Sequence, residues 1–181
     1  MTTFVSMLRG VNVAGHKRLK MSELAGTYAS LGLDNVRTYV QSGNAVFSCD
    51  SADESSLAQR IEKQLKIRPG LDVTIFIRTT NELGTLVARN PFARKDESRL
   101  HVIFLYTKPG RIPTDKIDSA RGMGEEFAIS DREVYLFLPG GYGRTKLSNG
   151  FFEKLLNVRA TTSNWNTVTA LLNMAKEIAN R

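Results

Sequence analysis

The sequence predicts an α+β fold of two split βαβ halves packed together. Three observations carry that expectation. Apolar runs of strand length are interspersed with segments of helical period. In each half two strands follow one another across a tight turn, which a strictly alternating doubly wound sheet would not do. The order β-α-β-β-α-β in the first half nearly recurs in the second.

The first half reads as follows. Residues 3–9 are a buried strand. Met21, Leu24, Tyr28 and Leu31 recur at helical spacing, and Gly32 supplies a left-handed stop before apolar Leu33. Strands follow over residues 36–41 and 45–49, with Ser42-Gly43-Asn44 as the hairpin turn, because Gly and Asn tolerate positive φ. Leu57, Ile61 and Leu65 line a helix that stops before Pro69-Gly70, and residues 72–79 are the next strand.

In the second half, Thr79 and Glu82 form a capping box for a helix with Leu83, Leu86 and Val87 on one face, ended by Asn90-Pro91. A strand over 100–107 precedes a short helix over 114–121. Strands over 126–130 and 133–138 flank Asp131-Arg132. Phe151, Phe152, Leu155 and Leu156 mark another helix. Trp165, Val168, Leu172 and Ala175 mark the last, with Thr162 or Ser163 expected as its cap. The halves are therefore ferredoxin-like, with division expected at the charged stretch 92–98. That gives residues 1–92 and 93–181, or one compact unit containing both.

The chain has 181 residues, 41% hydrophobic and 24% charged, which is ordinary for a globular protein. No apolar run is long enough to span a bilayer, and the N-terminus lacks the basic region of a secretory signal. Cys49 is the single cysteine, so no internal disulfide forms and a cytoplasmic location is expected. Lys and Arg number 25 against 18 Asp and Glu, a net charge of +7 that favours anionic partners. Residues 1–20 hold Arg9, Lys17, Arg18 and Lys20 and no acid.

Four polar stretches stand out. In the first, Gly10 and Gly15 let backbone approach a phosphate while Arg9, Lys17, Arg18 and Lys20 supply charge and Asn12 is a further candidate ligand residue, or the stretch is a strand-to-helix loop whose glycines serve turn geometry. Gln41, Ser42 and Asn44 belong chiefly to a hairpin turn, yet Gln41 and Ser42 can aim polar groups past the sheet end. Gly140-Gly141-Tyr142-Gly143 can cradle an anion between Arg144 and Lys146, with Tyr142 free to stack on a base, or it is a plain connector. The stretch from Thr161 through Asn164 to Thr167 holds more polar residues than capping requires. It implies either a buried hydrogen-bond network or a ligand site at a helix N-terminus. Trp165 falls on the apolar stripe and belongs to the core.

Catalytic residues are scarce. His16 lies in the first basic loop and is the candidate acid or base; His101 sits in a strand, where packing is its expected role. The two histidines and one thiol do not make a zinc spacing, and neither a metal nor a cofactor is expected. Glu125, Glu126 and Asp131 read as solvated surface charges.

The runs Leu8-Arg9-Gly10-Val11-Asn12-Val13, Tyr39 to Phe47, Asn90-Pro91-Phe92 and Ala160 to Thr167 occur together in this order. In that combination the chain resembles, over essentially its whole length, the bacterial family known as domain of unknown function 1697. The resemblance implies an α+β fold of this size and transfers no catalytic residue. Ala14 stands where the family pattern has glycine, and Ser163 where it has arginine.

The expected function is therefore the binding of a phosphate-bearing anion, a nucleotide or a nucleic acid, by basic loops. The alternatives are a metal-independent enzyme acting on a phosphorylated metabolite, with Arg9, Lys17 and Arg144 as clamp, and a protein-interaction module. No membrane partner is expected, and the sequence leaves the oligomeric state open.

Overall fold

The computed structural model describes residues 1–9, 18–39, 43–50 and 53–180. It forms two compact units, Met1–Thr85 with Ala170–Arg181, and Leu86–Thr169. This differs in two places from a division between 92 and 93. The boundary passes within a helix, and the end of the last helix belongs with the first unit. Contacts made by that helix, not local composition, decide the second point.

In the first unit, β1 (Thr2–Leu8), β2 (Asp34–Tyr39), β3 (Asn44–Cys49) and β4 (Ile75–Thr79) form a sheet in the order β2-β3-β1-β4. Every pairing is antiparallel. Helices α1 (Met21–Ser30) and α2 (Glu54–Ile67) complete the βαββαβ order. Their buried Leu24, Tyr28, Leu57, Ile61 and Leu65 cluster with Phe4, Leu8, Phe47, Ile75 and Ile77 from the sheet. Gly32 carries the expected positive φ of 73°. The opposite sheet face is buried too, through Val5, Met7, Val46 and Phe76. Arg78 lies on that face at 2% exposure and donates from Nη1 to its neighbour's carbonyl, Ile77 O, at 2.8 Å.

Between the sheets in sequence, α3 (Thr80–Ala88) begins with the expected capping box. Thr79 N donates to Glu82 Oε2 at 2.8 Å, and Glu82 N to Thr79 Oγ1 at 3.2 Å.

The second unit repeats the plan. Strands β5 (Leu100–Leu105), β6 (Glu126–Ser130), β7 (Glu133–Phe137) and β8 (Ala160–Asn164) form the order β6-β7-β5-β8. All three pairings are antiparallel. Helices α4 (Thr114–Ala120) and α5 (Asn149–Leu156) cover one face, burying Ile117, Phe152 and Leu156 against Ile103, Leu105, Val134 and Leu136. On the other face, Tyr135 Oη donates to Leu86 O of α3 at 2.9 Å. Both sheets thus have the same ferredoxin-like strand order, and the fold is α+β in two similar halves.

One element departs from the sequence reading. Residues expected to open the last helix are the edge strand β8, and α6 (Trp165–Ala179) starts after it. Threonine and serine are tolerated in a strand whose partner supplies the apolar core. Asn164, not Thr162 or Ser163, caps α6: its Oδ1 accepts from Thr167 N at 2.8 Å. Trp165 is buried, as its place on the apolar stripe implies.

Candidate functional site

In the first unit, the described ends of two predicted polar stretches, Arg9 and Gly43-Asn44, lie at the same sheet end. Strand β1 runs toward Arg9. Strand β2 ends there and β3 and β4 start there, because Leu8 pairs with Ile75 and Tyr39 with Asn44. Arg9 N donates to Thr74 O at 3.0 Å, extending the β1–β4 ladder by one residue. Gly43 packs directly on β1: a Cβ there would stand 3.1 Å from Leu8 Cβ, and its φ is +82°. Asn44 beside it is buried. Leu19 is also buried and belongs to the same core as Leu8, which anchors the residues on either side of it. Arg18 and Lys20 on either side of Leu19 are exposed. Lys20 N donates to Glu23 Oε2 at 3.1 Å at the start of α1. The structure therefore gathers Arg9 and Asn44 at one sheet end, with Arg18 on an anchored flank. Gly10, Asn12, His16, Lys17, Gln41 and Ser42 lie outside the described residues.

The second unit places Arg144, Lys146 and Asn164 at the other type of sheet end, where β5 starts and β7 and β8 finish. Arg144 and Lys146 are exposed. Thr161 is separated from them: it is a buried strand residue paired with Phe104.

The glycine loop is not an open amide cradle. Gly141 N donates to Leu138 O at 2.9 Å and Arg144 N to Gly141 O at 3.2 Å, so both amides are used within the turn. Nor does Tyr142 wait for a base. Its ring stacks on His101 with centroids 5.3 Å apart. Its hydroxyl accepts from Asn149 N at 2.8 Å and lies 3.2 Å from Thr162 Oγ1, while Thr162 donates to Asn149 Oδ1 at 3.1 Å. Asn149 Nδ2 donates to Ala160 O at 2.7 Å. The surplus polarity of 161–167 thus serves a strand edge, a helix cap and a side-chain network.

Two further features are absent from the sequence reading. Glu125, expected at the surface, is 8% exposed. Its Oε2 accepts from Gly122 N at 2.8 Å and Thr145 Oγ1 at 3.0 Å, tying the turn before β6 to the basic loop. It borders an open cavity of about 520 Å³ with Asp118, Arg121 and fully exposed Met123. His101 has an Nδ1 that is buried without a hydrogen-bond partner. Burial holds its imidazole below the ordinary histidine pKa, against a backbone interaction with Arg99 that raises it. Glycines on both sides of Met123 hinted at a turn, but nothing local marked Glu125 as buried.

Among the described residues no cluster of His, Cys, Asp or Glu could hold a metal, and no helix is long and apolar enough to cross a membrane.

The fold defines an α+β protein of two similar ferredoxin-like halves. The chain belongs to the family described as Protein of unknown function (DUF1697), whose model matches residues 1–135. The Ala160 to Thr167 run lies beyond that match. No curated protein matches the sequence. Among solved structures it is similar to the conserved bacterial protein SP0830 from Streptococcus pneumoniae. The TM-score is 0.72 at 20% identity, over 96% of this chain and 98% of that one. At that identity the likeness concerns the fold.

Proposed function

We propose that this protein binds a phosphate-bearing anion, a nucleotide or a nucleic acid, through its basic loops. The carrying observation is the first twenty residues, which hold Arg9, Lys17, Arg18 and Lys20 and no acid. Support comes from Arg9 and Asn44 meeting at one sheet end, with Arg18 exposed beside buried Leu19. Cations on anchored backbone lose less freedom on binding than cations on a free chain. Arg144 and Lys146 extend the same chemistry to the second unit. A cytoplasmic location, where such ligands abound, fits the lone buried Cys49 and is checked by cell fractionation.

The test is a thermal-shift screen of nucleotides beside filter binding of nucleic acids at low salt. A ligand at 100 times its dissociation constant adds about 2.7 kcal/mol of stability. If phosphates dominate a nucleic-acid complex, its affinity falls steeply with salt. A protein that neither shifts with any nucleotide nor retains any nucleic acid removes the reading.

A further inference from the structure

We propose that Arg99 is a further anion-binding residue, and that Arg99, Arg144 and Lys146 form a subsite for a terminal phosphoryl group on the second unit. This rests on the phosphate-binding reading above and names both a new residue and the ligand chemistry.

Arg99 closes the 3-10 turn Glu97–Arg99 and leads into β5. Its carbonyl accepts from Leu138 N at 2.9 Å, which stitches it to the start of the glycine loop. Its guanidinium lies along that loop, with Nη1 3.8 Å from where a Gly141 Cβ would be. Gly141 has a φ of +82°, so a side chain there would be strained, while the 3.8 Å separation is ordinary contact that places the guanidinium beside the loop. The loop also brings Arg144 back over itself: its Cβ is 4.0 Å from the Cβ position of Gly140.

Two partly buried anchors, Tyr142 and Thr145, hold the loop. Tyr142 is clamped by His101 on its ring and by Asn149 and Thr162 at its hydroxyl. Thr145, between the two loop cations, is bonded to Glu125. Arg144 and Lys146 therefore spring from backbone that is already fixed, and a ligand need not order it.

Arg99, Arg144 and Lys146 are all exposed, and none is in an ion pair among the described residues. One acid that feels the charge of Arg99 is Asp96. Its carboxyl is held below the ordinary value chiefly by hydrogen bonds from Ser98, with a smaller contribution from Arg99. Asp96 is thus occupied with its own turn, and Glu125 with Gly122 and Thr145. A guanidinium offers paired N–H groups matched to two phosphate oxygens, and the flanking cations favour a dianion. A terminal phosphoryl group meets both demands; an internal phosphodiester carries a single charge.

Calorimetry of the full chain at low salt, with inorganic pyrophosphate and with a dinucleoside monophosphate lacking a terminal phosphate, tests this. Pyrophosphate is expected to bind and the phosphodiester to bind at least about tenfold more weakly. Arg99→Gln is expected to weaken pyrophosphate about tenfold, the loss of one charge-assisted contact. Arg99→Lys should recover part of that, and Arg94→Gln, at another exposed cation, should change nothing. Arg99→Gln binding like wild type, Arg94→Gln losing as much, or equal affinity for the two ligands overturns the subsite and leaves the general reading in place. Wild-type protein that binds neither ligand, nor any nucleotide, removes both.

Discussion

Protonation of His101 opposes folding, because its imidazole is partly withdrawn from water and its Nδ1 faces no acceptor. The folded pKa lies below the unfolded one, about 6.5, so the unfolded chain binds more protons between them. Stability therefore falls as pH drops through 6.5 and levels off below the folded pKa. An NMR titration of the His101 ring should give a midpoint under 6.5, and a midpoint above it would contradict the burial account. Tyr135 behaves in the opposite sense. Burial, with the Glu133 charge, pushes its hydroxyl up to about 12. Above pH 10 the unfolded chain loses that proton first, so stability declines from there toward 12. Tyr135→Phe leaves Leu86 O without this donor and should cost about 1 kcal/mol in urea unfolding. At this scale the sequence placed His101 in a strand but not its contact with Tyr142. That contact joins residues 41 apart in the chain, and no local pattern encodes it.

A helix cap is satisfied by residues two to four positions away, so some helix ends are legible in the sequence while the start of α6, hidden by β8, was not. The Thr79–Glu82 box formed as expected. At α2, Asp53 accepts from Ser55 N and Ser56 N at 3.2 Å each. Asp53→Ala should lower the urea midpoint by the equivalent of about 1 kcal/mol. Gly43 is the sharper test of an element junction. Gly43→Ala forces a positive φ on alanine and sets its Cβ 3.1 Å from Leu8, at a cost of about 2 kcal/mol by the same assay. Unchanged stability would mean that the hairpin does not press on β1 as described. Strand β8 was missed because its Thr-Thr-Ser run lacks the apolar alternation by which a strand is read. Its pairing with β5 supplies the ladder instead.

For the molecule as a whole, the last helix is the informative segment. Residues 170–180 belong with the first unit although they follow the second in sequence, and Leu171, Leu172, Ala175 and Ile178 are buried. Each buried leucine or isoleucine contributes about 1.5–3 kcal/mol, so truncation after Thr169 removes much of a typical domain stability. Loss of sharp amide dispersion in the first unit is the expected NMR result; an intact spectrum would show that α6 is dispensable there. Net charge acts at the same scale. Nucleic-acid affinity, if phosphate contacts carry it, should drop with a log–log salt slope of about −0.9 per contact on duplex DNA.

The sequence by itself determined the α+β class, the split βαβ order of the first half and the concentration of cations within residues 1–20. These follow from periodicity, turn residues and charge, all of which are local. Only tertiary structure decided that β8 exists and that Glu125 is buried beneath Thr145. It also decided that Tyr142 is already occupied and that the chain end returns to the first unit. Each of those depends on which distant backbone supplies the hydrogen-bond partner or the apolar cover, and that is settled by packing rather than by neighbours along the chain.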